Sequence, residues 1–209
     1  MKFEIGDSTD HKLVRVISHE FSRAKDAFML FQYFSIEYFK AEEKNKKSIS
    51  DSVKIHIYDS YSDFLKHLYE QFVACFKRDN RSTADIKYDR LDFLINWEVK
   101  KYNNRMISLF NAGLDGQFGL NDKSYYEESV PNDFGKKLRE MRNMHSHSDT
   151  RRIDGNRLAN FYRDYHKYAL ALYYTSLDHW DIRETTHRDW KDIESFADLI
   201  FDQENENLS

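Results

Sequence analysis

Apolar residues return at spacings of three to five along most of this chain, the period of a helix with one buried face. Leu13, Ile17, Phe21, Ala24, Phe28, Phe31 and Ile36 set the first such run. It predicts a helix from Thr9 or Asp10, either able to cap it, to about Lys44. Phe28 to Phe39 is apolar on more than one face and predicts passage through the interior. A polar connector, Glu42 to Lys47, precedes a second helix capped by Ser50 or Asp51. Its ladder is Val53, Ile57, Tyr61, Phe64, Leu65, Leu68, Phe72 and Phe76. Val53-Lys54-Ile55-His56-Ile57 also alternates with period two and admits a short strand. A third helix is expected from about Thr83 to Phe110, ending before Gly113 as helices commonly do. Residues 112–130 read as the longest loop. Pro131 suits the first turn of a fourth helix. A fifth runs from about Arg157 to His179, and a short one spans 188–201. The first eight residues and 202–209 read as flexible ends.

Six Gly and one Pro in 209 residues leave little material for the turns that sandwiches, barrels and wound sheets require. The expected fold is therefore all-α: one domain over 1–209, about five long helices plus a short C-terminal helix. No internal repeat and no linker divides it. With 16 Phe, 14 Tyr and 3 Trp, the chain can fill wide gaps between helices or a helix-mediated dimer interface. The single Cys75 excludes an internal disulfide and sits in the apolar run Phe72–Phe76, where it reads as a small hydrophobe. Neither a secretory leader nor a membrane-length apolar run is present, so a cytoplasmic protein with no membrane partner is expected.

The net charge is −4, but residues 131–163 hold eight cations against four anions. That local +4 leaves −8 elsewhere: a basic island on an acidic body, fit to meet a polyanion at one place or to serve as a solvated helix face. Within it lies Leu138-Arg139-Glu140-Met141-Arg142-Asn143-Met144-His145-Ser146-His147-Ser148-Asp149. Arg142 and His147 bracket four residues, with Asn143 directly after the Arg. A guanidinium can neutralise phosphoryl oxygens through its planar fork, and an imidazole moves protons near neutral pH. His145-x-His147-x-Asp149 has the look of a metal site, but Thr150 stands where a further His is wanted and the Gly-poor helical frame denies the sheet sandwich such sites use. No metal and no other cofactor is expected. No nucleophile elbow and no phosphate-cradling Gly-rich loop occurs.

Arg142-Asn143-Met144-His145-Ser146-His147 resembles the Arg-(polar)-x3-His signature of the HEPN superfamily, all-α bundles that include many metal-independent endoribonucleases. The resemblance covers the motif, the helices on either side of it and the helical plan. The aromatic near the motif in some toxin members is missing. The resemblance implies RNA cleavage by attack of a ribose 2′-OH, in a toxin–antitoxin or anti-phage setting. Arg142 would hold the scissile phosphate, His147 would transfer protons, and Asn143 would orient the imidazole or bind phosphate. Arg139, His145, Arg151, Arg152 and Arg157 would bind RNA. One His cannot easily serve both oxygens, so two copies would pair their motifs in a homodimer, with an antitoxin or other regulatory protein as a further partner. The alternative is a non-catalytic helical module of the same fold that binds RNA or protein.

Overall fold

The computed structural model describes residues 1–43, 50–118, 121–146, 157–181, 191 and 193–198. Among them the order is α1 (Ser8–Glu43), α2 (Asp51–Asp79), α3 (Tyr88–Asn111), α4 (Asp115–Phe118), α5 (Lys123–Glu127), α6 (Phe134–Ser146) and α7 (Arg157–Trp180). No strand is present among the described residues, and 53–57 is helical. The described residues of 188–201, namely 191 and 193–198, are helical and exposed; the remainder of that expected helix lies outside them, as does 202–209. No helix among the described residues is long and apolar enough to cross a membrane.

Helices α1 and α2 form a long antiparallel hairpin, read directly from their partners: Asp10 meets Arg78, Glu20 meets His67, Phe31 meets Tyr61 and Phe34 meets His56. Helix α7 lies across this pair. Phe64 packs against its Tyr173 and Tyr61 against its His166, so α7 runs parallel to α2. Helix α3 packs beside α7, with Tyr102 against Tyr174. Helix α6 fills the space between α2, α3 and α7, burying Phe134, Leu138, Met141 and Met144. One core joins all five long helices, with Phe21, Phe64, Phe134, Leu138 and Leu172 fully enclosed.

Helix ends follow local chemistry where no distant residue competes. Ser50 caps α2 by accepting the Ser52 N–H at 3.2 Å. Gly113, at φ +70°, closes α3: its N–H donates to Phe110 O at 2.9 Å and that of Leu114 to Leu109 O at 3.0 Å. The start of α1 differs from expectation. Asp7, not Thr9 or Asp10, accepts the N–H groups of Thr9 and Asp10, at 2.7 and 2.9 Å. Asp10 is instead buried against Arg78, whose Nε donates to it at 2.6 Å. The N-terminal lead, expected to be loose, is tied to the α2–α3 turn: Phe3 N–H donates to Arg81 O, Thr83 N–H donates to Met1 O, and the Phe3 ring is buried.

Other boundaries shift for similar reasons. Helix α3 begins at Tyr88 rather than Thr83, because Ser82 and Thr83 bond the N-terminal lead and the end of α2. The expected loop 112–130 contains α4 and α5, and the buried Tyr126 anchors α5 between Tyr102 and Phe110. Pro131 closes the turn before α6 by accepting the Phe134 N–H at 3.1 Å, so that helix starts three residues later than the proline suggests. Phe28–Phe39 does not cross the interior. Phe28 is buried, but Met29, Leu30, Tyr33, Ile36 and Phe39 are exposed.

Candidate functional site

Helix α6 is held against α3 by a close approach that only glycine permits. A Cβ on Gly135 would lie 2.3 Å from the Asp92 carbonyl oxygen. The Gly135 N–H, unpaired within its own helix, donates to Asn96 Oδ1 at 2.8 Å, and Asn96 Nδ2 donates to Asn132 O at 2.7 Å. One turn on, Arg139 reaches back to α3. Its Nε and Nη2 donate to the two Asp92 oxygens at 3.0 and 2.8 Å, and its guanidinium lies 4.6 Å from the Tyr88 ring centroid. This bidentate pair uses the planar fork of Arg139 within the fold. Arg139, expected to bind RNA, thus fastens α6 to α3.

Arg142 lies on the last turn of α6 and faces α2. Its Nε and Nη2 donate to Glu70 Oε1, and its Nη1 donates to Asn143 Oδ1 at 3.0 Å. The Tyr69 ring centroid is 6.0 Å from the guanidinium carbon. Burial pushes the Tyr69 phenol up to about 12, so it stays neutral beside the cation. The Arg142 side chain keeps about a third of its surface exposed (32%), so solvent and a ligand can still meet it. Among the described residues Asn143 acts on the guanidinium. Its oxygen is spent on Arg142, and an Asn amide carries two N–H donors besides.

His145 falls within α6, though its side chain lies outside the described residues, as do His147, Arg151 and Arg152 altogether. The structure therefore brings together Arg142 and Asn143 of the expected site. Arg157 opens α7 on the far side of the 147–156 connector and is exposed. Among the described residues there is no cluster of His, Cys, Asp and Glu that could hold a metal ion.

Beside the end of α6 lies a cavity of about 1060 Å³, bounded by the C-terminal half of α1, the start of α2, Met144 and the first half of α7. Its wall is aromatic. Tyr162 stacks on His166 with centroids 4.3 Å apart, and Phe31 and Tyr61 complete the floor. The Tyr61 hydroxyl is 2.9 Å from His166 Nδ1. Burial raises the Tyr61 phenol well above its ordinary range, with Tyr162 adding to the effect, so Tyr61 keeps its proton. Burial also lowers His166 to about 4, which leaves a neutral imidazole. Lys54 and Arg157 stand at the rim, Lys54 also pairing with Asp51 at 3.2 Å.

Sequence reasoning missed Glu70 and the Tyr61–Tyr162–His166 group. Glu70 had a signal: it is the lone acid between Phe64 and Arg78. The aromatic group had none, because Tyr61 is 105 residues from His166 and each member reads as ordinary core. Cys75 is partly buried against the core, and burial pushes its thiol up to about 12, the behaviour of an inert thiol. Compared with protein-family models, curated proteins and solved structures, the chain has no significant match.

Proposed function

We propose that the chain is a metal-independent endoribonuclease of HEPN type, working as a homodimer in a toxin–antitoxin or anti-phage setting. The observation that carries this reading is Arg142: a part-exposed guanidinium on the last turn of α6, oriented by Asn143, five residues before His147. On this reading the ribose 2′-OH oxygen attacks the adjacent phosphorus and the bond from phosphorus to the 5′-oxygen breaks. The products are a 2′,3′-cyclic phosphate and a 5′-OH. His147 of one copy removes the 2′-OH proton and His147 of the second copy protonates the leaving oxygen. Arg142 stabilises the extra charge on the phosphoryl oxygens as it develops. Arg157, Arg151, Arg152 and His145 guide the strand, and an antitoxin or other regulatory protein restrains the activity.

The test is RNA cleavage by the purified protein in EDTA, with product ends identified. Wild type is expected to cut and to leave cyclic phosphate. His147→Ala and Arg142→Ala are expected to lose at least about a hundredfold in rate, the scale of one transition-state donor or one general base. Equal cleavage by wild type and both variants defeats the proposal. A second reading, a non-catalytic helical module that binds RNA or protein, is favoured by the Glu70 contact, because a neutralised Arg142 also serves to tie α6 to α2. It predicts RNA binding without turnover, and no growth arrest when the chain is expressed.

A further inference from the structure

The aromatic cavity beside α6 has no part in the proposed chemistry, yet its composition is selective. It is walled by stacked or tilted rings, rimmed by Lys54 and Arg157, and lined by no carboxylate among the described residues. That is unexpected in a chain whose net charge is −4. Such a recess suits a ligand that is flat, aromatic and anionic. Tyr162 offers the platform: one face rests on His166, and the residue is 43% exposed. Among the described residues the volume exceeds that of a single base and one side is left open, as a strand entering it would need. Gln32 and Ser35 add hydrogen-bonding groups to the wall.

We infer that this recess receives one unstacked base of an RNA strand, stacked on Tyr162, with the flanking phosphates met by Arg157 and Lys54. Stacking on a tyrosine tolerates any base, because every base has a π-face, while the rim cations supply the phosphate attraction. The recess also touches Met144, the residue after Asn143, so a base held here belongs to the strand that passes Arg142. The inference rests on the RNA reading but concerns binding rather than cleavage.

The experiment measures 5′-AMP and ribose 5-phosphate binding to the full chain by calorimetry. Wild type should bind 5′-AMP at least about fivefold more tightly than ribose 5-phosphate, the smallest effect expected of one stacked base. Tyr162→Ala should lose at least about that factor, and Tyr162→Phe should keep it. A short single-stranded adenylate should displace 5′-AMP. Ala159→Trp, which fills the recess without removing a ring, should abolish binding and covers the case in which Tyr162→Ala fails to fold. No 5′-AMP binding, equal binding of the two probes, or 5′-AMP that the oligomer cannot displace overturns the inference. So does a dimer that Ala159→Trp breaks, since the recess then seats a second copy. The two readings fail separately. A wild type that cleaves RNA but ignores 5′-AMP loses only the recess, and one that binds 5′-AMP without cleaving loses only the catalysis.

Discussion

Arg142 is shared between two demands. Glu70 and Asn143 hold its fork in place, and a phosphate must displace at least the Glu70 contact to use it. Glu70→Gln removes the competing charge while keeping the shape. RNA affinity should therefore rise in filter binding, and the free energy of unfolding by denaturant should fall by about 1 kcal/mol or less, as befits a part-exposed pair. Unchanged RNA affinity would remove Glu70 from any role at the site. His166 makes a separate residue-scale prediction. Its imidazole titrates at about 4 in the fold, against an ordinary value of 6.5, because burial disfavours the cation. The unfolded chain therefore takes up a proton first as pH falls below about 6.5, and stability drops from there towards pH about 4. Above that window His166 contributes no pH dependence. His166→Phe should flatten the loss between pH about 6.5 and about 5 in a comparison of thermal midpoints. Of these residues only Arg142 and Asn143 could be placed at the site from the sequence. Glu70 stands out as the lone acid of its stretch, but it is 72 positions from Arg142, and nothing local says that the two meet.

At the scale of elements, the ends of helices separate what was legible from what was not. Ser50 and Gly113 act through neighbours two to five residues away, and the sequence pattern finds both. Asp10 reads equally well as a cap, but Arg78, 68 positions away, takes its carboxylate, and that hydrogen bond with the Gly6 N–H outweighs burial to hold it below the usual range. The close of α2 is less expected. Ser82 N–H donates to Lys77 O and Arg81 N–H to Arg78 O, which puts Arg81 at φ +49°, where a side chain is strained. Arg81→Gly should raise stability by about 1 kcal/mol in denaturant unfolding, since its backbone bonds are unchanged. The α3–α6 contact makes the opposite prediction. Gly135→Ala forces a methyl group into the Asp92 backbone and should cost about 2–3 kcal/mol. Asn96→Ala strands the Gly135 N–H and the Asn132 carbonyl and should cost about 2 kcal/mol. Both losses should slacken α6, the helix that carries Arg142.

The whole molecule leaves one face unfinished. The all-α architecture was legible because Gly and Pro scarcity and the period of the apolar residues agree. The fate of Phe28–Phe39 was not. An apolar run reads the same whether it is buried by its own chain or left exposed. Here Phe28 and Phe31 turn inward, while Met29, Leu30 and Tyr33 make a stripe on the outside of α1, with Tyr33 58% and Met29 49% exposed. Large exposed apolar stripes on a folded chain mark association surfaces. A second copy suits this one, because the proposed chemistry needs two histidines and each chain carries one motif. An isologous contact also places the same stripe on both partners. Met29→Asp with Tyr33→Asp sets like charges across that contact without touching the core or the recess. Light scattering should show wild type at twice the chain mass and the double variant at one. Circular dichroism should be the same for both, and RNA cleavage should fall with the dimer. A dimer that survives the double variant moves the interface elsewhere, and cleavage by a clean monomer means that one motif suffices.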